Sequence, residues 1–147
     1  ELVLPEHTNI YGNLFGGVLV EWIDKAGSIV ATRHSNRNVV TASIDNLHFL
    51  EPIKLGDIVV LHGWINYVGT TSMEVEVIAE RESRFGGQRK LACVALSTYV
   101  ALDEEGKPTP VPKLKLKNED ERKRFEEAEK RKEIRLKTLE EIKSLIP

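Results

Sequence analysis

The fold is decided by a stretch near the start: Asn9-Ile10-Tyr11-Gly12-Asn13-Leu14-Phe15-Gly16-Gly17, followed by Val18-Leu19-Val20-Glu21-Trp22-Ile23-Asp24-Lys25-Ala26-Gly27. Apolar residues recur at Val18, Leu19, Trp22, Ile23, Ala26, Ile29 and Val30, which is helical spacing. A glycine-studded loop therefore runs into an amphipathic helix of about residues 16–34. At 100° per residue Asp24 shares a side with Gly17, Val20, Gly27 and Ala31. One side is bulky and greasy; the other is small and carries a single carboxylate. The greasy side is expected to pack on a sheet, leaving the Asp24 side outward.

The loop adds a second element. The first turn of a helix carries backbone N–H groups without intrahelical acceptors, at the positive end of the dipole. Gly16 and Gly17 leave those donors unshielded, so this terminus can hold a carbonyl oxygen as negative charge develops on it. Asp24, a candidate base or nucleophile, lies seven residues on, about 10 Å along the axis. That is too far for both to act on one carbonyl within one chain. If the two form a site, they come from different copies of the helix, and a dimer is expected.

The rest of the chain reads outward from this helix. Glu1 to Leu4 suggests a short edge strand ended by Pro5. Ser35-Asn36-Arg37-Asn38 is a turn. Strand patterns follow over 39–50, 58–68, 71–82 and 89–102, joined by Pro- and Gly-punctuated connections. Met73, Val75, Val77 and Ala79 alternate with Glu74, Glu76, Ile78 and Glu80, so that strand has one apolar and one polar face. There is no repeated βα alternation, which disfavours a doubly wound parallel sheet. The expected class is α+β: an antiparallel sheet around one long helix.

A stiff exit with Pro108, Pro110 and Pro112 leads to a charged segment. Between Asn118 and Leu145, 18 of 28 residues are charged, nine of each sign. The other 119 residues hold 26 charges, an ordinary density, so the charge excess belongs to this segment alone. Asn118 with Glu121 is a capping-box-like start. Glu126–Lys130, Glu127–Arg131 and Glu133–Lys137 are supporting i,i+4 pairs. Phe125, Ala128, Leu139, Ile142 and Ile146 form a thin apolar stripe, so a mostly solvated helix is expected, its last third docking on its own or a neighbouring subunit. The expected division is a domain over 1–112 and a charged helical extension over 113–147.

Composition narrows the function classes. The net charge of −2 gives no global argument for nucleic acid or a membrane surface. No apolar run approaches the ~20 residues of a spanning helix, and no signal-peptide pattern begins the sequence. The single cysteine, Cys93, allows no intrachain disulfide and fits a cytoplasmic setting. It sits in an apolar strand and reads as a core residue. His7, His34, His48 and His62 are scattered without metal-ligand spacing, so no metal site is expected. No serine stands in a nucleophile elbow, and the glycine loop lacks the ending of a phosphate loop. Asn13 reads as a turn residue, or as an amide that orients a water or a carbonyl. Val68-Gly69-Thr70-Thr71-Ser72 reads as a hairpin turn, or as hydroxyls and amides that hold a phosphate. Arg81, Arg84, Arg89 and Lys90 flank the Gly86-Gly87 turn, as a solvated tip or as partners of an anion.

Taken together, Asn9-x-x-Gly12-Asn13-x-Phe15-Gly16-Gly17, then Asp24-x-x-Gly27, Phe49-x-x-Pro52-x-x-x-Gly56-Asp57 and Val68-Gly69-x-Thr71-Ser72 resemble the hotdog-fold acyl-CoA thioesterases. The likeness covers about residues 3–112. It implies a sheet wrapped around a central helix, two sheets joined edge to edge in a homodimer, and often a trimer of dimers. It implies acyl-CoA as substrate, no separate cofactor, and sites at the dimer interface. There Asp24 acts with Asn13 of the opposing subunit, Gly16 and Gly17 receive the carbonyl, and Gly69, Thr70, Thr71 and Ser72 help hold coenzyme A. Two other readings remain. One is a hotdog hydratase, which would need a histidine paired with an acid; the other is a module that binds acyl-CoA without turnover.

Overall fold

A computed structural model describes residues 1–147. After a 3₁₀ turn at Pro5–His7 come α1 (Gly16–Ser35), β1 (Asn38–Phe49), β2 (Ile58–Val68), β3 (Ser72–Glu82), β4 (Arg89–Leu102) and α2 (Glu119–Ser144). The four strands form one antiparallel sheet in the order β1-β4-β3-β2. The class is α+β, and α1 touches all four strands. The expected N-terminal strand is reduced to a single bridge between Leu2 and Ile58, because Pro5 turns the chain into the 3₁₀ turn.

Register decides which residues meet α1. Met73 pairs with Tyr99, Val75 with Ser97, Val77 with Ala95 and Ala79 with Cys93. All eight are buried, and with Leu19, Trp22 and Ile23 of α1 they form the centre of the core. The alternate residues point to the opposite face, where Glu74 stands beside Thr98 and Glu76 beside Leu96.

One expectation about α1 is overturned. Its buried residues are Leu19, Trp22, Ile23, Gly27, Ala31 and Ser35, whereas Ile29 is half exposed. The small residues therefore lie against the sheet instead of facing outward. The reason is Tyr99, a fully buried ring that stands directly under Gly27. A Cβ at Gly27 would lie 2.8 Å from the Tyr99 Cζ and closer still to its hydroxyl. The missing side chain is what allows this approach. α1 ends at Asn36, whose φ of 52° is left-handed and whose N–H bonds the Thr32 carbonyl.

α2 is also placed differently from expectation. Asn118 caps it by accepting from the Glu121 N–H, and Glu121 in turn accepts from the Lys117 N–H. Its first two turns and its middle pack on the outer face of the sheet. The Phe125 ring meets Tyr67 at 4.8 Å, and Ala128 is fully buried. Arg131 binds Glu74 at 2.6 and 3.2 Å instead of Glu127, and Arg135 reaches Asp45 at 3.5 Å. Of the expected helix pairs none forms; Glu127 meets Lys130 instead. The last third packs on nothing within the chain, its Leu139 and Ile142 being 43% and 52% exposed. No helix is long and apolar enough to cross a membrane.

Candidate active site

Asp24 is half-buried where α1 passes β1 and β4. The Thr41 hydroxyl donates to Asp24 Oδ1 at 2.7 Å. The Tyr99 hydroxyl donates to the same oxygen at 3.0 Å and to the Asp24 carbonyl at 3.1 Å. Thr41 and Tyr99 are directly paired across β1 and β4, so the register alone places both hydroxyls on the helix side of the sheet. Oδ1 is thus anchored twice, while Oδ2 makes no hydrogen bond within the chain. A carboxylate fixed through one oxygen with the other unengaged is oriented to accept a proton. Burial pushes the Tyr99 phenol well above its ordinary pKa, and the neighbouring Asp24 charge adds to this, so the phenol remains a donor.

The helix start forms the second element. Phe15 occupies the N-cap position with no side-chain cap. Its carbonyl takes the N–H groups of Val18 and Leu19, and the N–H groups of Gly16 and Gly17 have no acceptor in the chain. Gly16 lines a cavity of about 360 Å³ whose walls also include Asn13, Leu19, Phe49 and Pro52. A Cβ at Gly16 would lie 3.4 Å from the Phe49 ring, so the glycine lets this ring lie against the helix start. The preceding loop is folded on Asn9. Its Oδ1 accepts from the N–H groups of Tyr11 and Asn13, and its own N–H donates to the Asn13 carbonyl. Gly12, at φ 76°, makes the turn between them. The side-chain amides of Asn9 and Asn13 donate to nothing in the chain.

Asp24 is not on the wall of this cavity. The structure brings Asn13, Gly16 and Gly17 to one place and Asp24 to another, as the axial separation requires. The helix-start end is ringed by exposed apolar side chains, among them Ile10, Tyr11, Phe15, Phe49 and Leu50. Exposed apolar patches of this kind mark contact sites for a protein, a membrane or a ligand.

The Gly69–Ser72 turn lies at the other end of β2. Gly69 N–H donates to the Ser72 carbonyl, while the carbonyls of Thr70 and Thr71 take the N–H groups of Val111 and Ala101. A Cβ at Gly69 would lie 2.7 Å from Lys132 Nζ and 3.0 Å from Ser72 Oγ. α2 thus supplies a cation over this turn. No local signal marks it, because Lys132 is one of many charges in the helix. The turn also borders a cavity of about 440 Å³ together with Lys113 and Phe125.

The other candidates resolve into structure. Arg81 binds Asp57 at 3.2 Å and Arg89 binds Glu82 at 2.7 Å, so the Gly86-Gly87 hairpin gathers no cation cluster. Cys93 is fully buried, and burial pushes its thiol up to about 11. His48 is exposed on the edge strand β1. No group of His, Cys, Asp and Glu is arranged to hold a metal. Sequence reasoning missed Thr41 and Tyr99, the two anchors of Asp24.

A family model of the thioesterase superfamily matches residues 11–84, which is half of the chain. An uncharacterized acyl-CoA thioester hydrolase of Bacillus subtilis is 46% identical over 119 residues, covering 81% of this chain and 69% of that protein. This chain belongs to the thioesterase superfamily. The thioesterase is also 39% identical over 132 residues to the cytosolic acyl coenzyme A thioester hydrolase of Rattus norvegicus, spanning 88% of this chain but only 35% of that longer protein. Among solved structures, an apo-hexameric acyl-CoA thioesterase superposes with a TM-score of 0.90 at 41% identity, covering 95% of this chain and 89% of that one. An acyl-CoA hydrolase of Staphylococcus aureus, in complex with butyryl coenzyme A, coenzyme A and coenzyme A disulfide, gives 0.90 at 39% identity over 98% and 88% of the two chains. These neighbours are hotdog-fold thioesterases, and they span the thioesterase through α2.

Proposed function

We propose that this thioesterase hydrolyses acyl-CoA to coenzyme A and a carboxylic acid, in a homodimer whose two sites are each built from both copies. The observation that carries the reading is the separation of two halves along one helix. Gly16 and Gly17 carry unsatisfied N–H groups at a helix start where Gly16 lines a cavity, and an anchored Asp24 with a free oxygen lies two turns away. The expected cytoplasmic setting fits both the substrate and the reduced Cys93.

In the proposed reaction the thioester carbonyl sits against the Gly17 N–H of one copy. Asp24 of the other takes a proton from water as the water oxygen bonds to the carbonyl carbon. The N–H groups receive the charge that develops on the carbonyl oxygen. Collapse breaks the C–S bond, and the departing sulfur takes the proton back. Asn13 stands on the cavity wall where an amide can orient the water or the carbonyl. Asn9 is a second amide for this role. Structures of the S. aureus hydrolase exist in which an asparagine, an aspartate and a threonine are each replaced by alanine, and those positions are spaced by 15 and 17 residues. Asn9, Asp24 and Thr41 have the same spacing, which favours Asn9 as the amide that works with Asp24.

The β1 edge is where the second copy joins. β1 offers twelve residues with one side unpaired, and Val40 and Ile44 on it are largely exposed. The Gly69–Ser72 turn with Lys132 supports the reading that coenzyme A phosphates lie there. The test is thiol release across a panel of acyl-CoAs. Asp24→Asn is expected to lower turnover by at least about 10²-fold; near-normal release by this variant overturns the assignment. If wild type binds acyl-CoA but releases no thiol, the non-catalytic reading holds. Hydration of an enoyl thioester points to the hydratase.

A further inference from the structure

α2 runs across the strands along one cross-strand row. Tyr67 pairs with Glu74, Glu74 with Thr98 and Thr98 with Ser43, so the row crosses the sheet from β2 to β1. Phe125 lies on Tyr67, Arg131 on Glu74, and Arg135 on Asp45, which Thr98 also binds at 2.7 Å. Ten residues from Phe125 to Arg135 advance about 15 Å, and three strand spacings make about 14 Å. By Arg135 the helix has therefore reached the β1 edge. It continues to Ser144, another nine residues or about 13 Å, with no strand of its own chain beneath.

The side chains change at that edge. The sheet-facing stripe carries Ala128, Arg131 and Arg135, whose arginines answer the buried Glu74 and the partly buried Asp45. The same stripe continues past the edge as Leu139 and Ile142, which are 43% and 52% exposed. A stripe that remains apolar after the sheet ends points to a surface beyond the edge. The outer sheet face carries a matching apolar patch. Ile78, Val94 and Leu96 occupy the two rows next to the one α2 covers, and all three are only partly buried.

We propose that the last third of α2 crosses the β1 edge and docks on the outer sheet face of a second copy of this chain, against its Ile78, Val94 and Leu96. This rests on the edge-to-edge dimer proposed above. A sheet continued through β1 puts a further strand under each spacing the helix advances. The dimer is then held on both levels, by backbone pairing at β1 and by two exchanged helix ends above it.

The test is sedimentation velocity on the full chain over a dilution series, with circular dichroism to confirm helix content. Leu139→Asp/Ile142→Asp changes only exposed positions, and its self-association is expected to weaken at least tenfold with the fold unchanged. Ile44→Lys on the β1 edge separates the two ideas. If Ile44→Lys dissociates the protein and the helix variant does not, the docking of α2 is overturned and the edge dimer stands. If Ile44→Lys leaves the assembly intact, the edge dimer fails and takes the docking proposal with it.

Discussion

Gly27→Ala should be among the most damaging single methyl additions in this chain. The new Cβ would stand 2.8 Å from Tyr99 Cζ and 3.0 Å from Cε2, and closer to the hydroxyl. Carbon atoms in ordinary contact are about 3.5–4.0 Å apart, so helix and ring must separate by roughly 1 Å. The ring has nowhere to go, because Tyr99 is fully buried. Its hydroxyl is also tied to Asp24 twice. Overpacking of this kind costs about 1–3 kcal/mol. Losing a hydrogen bond to a charged group costs about 1.5–3 kcal/mol more. The better helix propensity of alanine returns about 1 kcal/mol. The net is a destabilisation of about 1.5–5 kcal/mol.

Urea denaturation at one fixed protein concentration measures this. The midpoint is expected to fall by about 0.8–2.5 M, given a slope of about 2 kcal/mol/M for a domain of this size. Turnover should fall as well, since a displacement of about 1 Å at a positioned group costs up to about 10²-fold. Tyr99→Phe removes the atom nearest the new methyl. The double variant Gly27→Ala/Tyr99→Phe should therefore cost less than the two single variants combined. Helix propensity alone predicts the opposite sign for Gly27→Ala. A variant as stable as wild type, or more so, would refute the close approach between α1 and β4 and with it the anchoring of Asp24.

Asn9→Asp keeps the acceptor that folds the loop and removes only the amide donor. It should lower kcat by at least about tenfold with an unchanged melting temperature, whereas Asn13→Ala should act more weakly if Asn9 is the working amide. Arg131→Ala strips the ion partner from Glu74, which is 3% exposed, and should cost about 3–5 kcal/mol in thermal or urea unfolding. Alkaline pH should destabilise the fold: the unfolded Cys93 thiol ionises near 9.0 and the buried one near 11, so the unfolded chain loses its proton first. Stability is then full below about pH 9 and falls by up to about 2–3 kcal/mol by pH 11. Tyr99 shifts in the same direction at higher pH, and Cys93→Ala should flatten the first part of the fall. A single turnover in ¹⁸O water distinguishes base from nucleophile: Asp24 acting as base gives a first acid with one labelled oxygen, whereas a first acid with no label requires attack by Asp24 and opening of the anhydride at the Asp24 carbon.

The elements were legible in the sequence because their periods are local. A 3.6-residue repeat marks α1, and two-residue alternation marks β3 whatever lies around them. The loop-to-helix glycines were legible for the same reason, since an uncapped helix start is a property of neighbouring residues. Orientation was not, because it depends on partners distant in the chain. Gly27 and Ala31 read as an open face until Tyr99, 72 residues beyond Gly27, is placed beneath them. Tyr99 itself reads as one more core aromatic in an apolar strand. Only the pairing of Thr41 with Tyr99 turns two unremarkable hydroxyls into the clamp on Asp24.

The charged helix shows the same limit from the other side. Its acids and bases support i,i+4 pairs on paper, yet Arg131 and Arg135 leave the helix to meet Glu74 and Asp45. Carboxylates already desolvated beneath a helix hold a guanidinium more strongly than a solvated neighbour on the same helix does. That preference fixes the direction in which α2 crosses the sheet. It also determines which of its residues stand past the β1 edge. Polar pairing within one chain thereby aims an apolar helix end at the place where a second chain would be, and the separated halves of the candidate active site call for that same second chain.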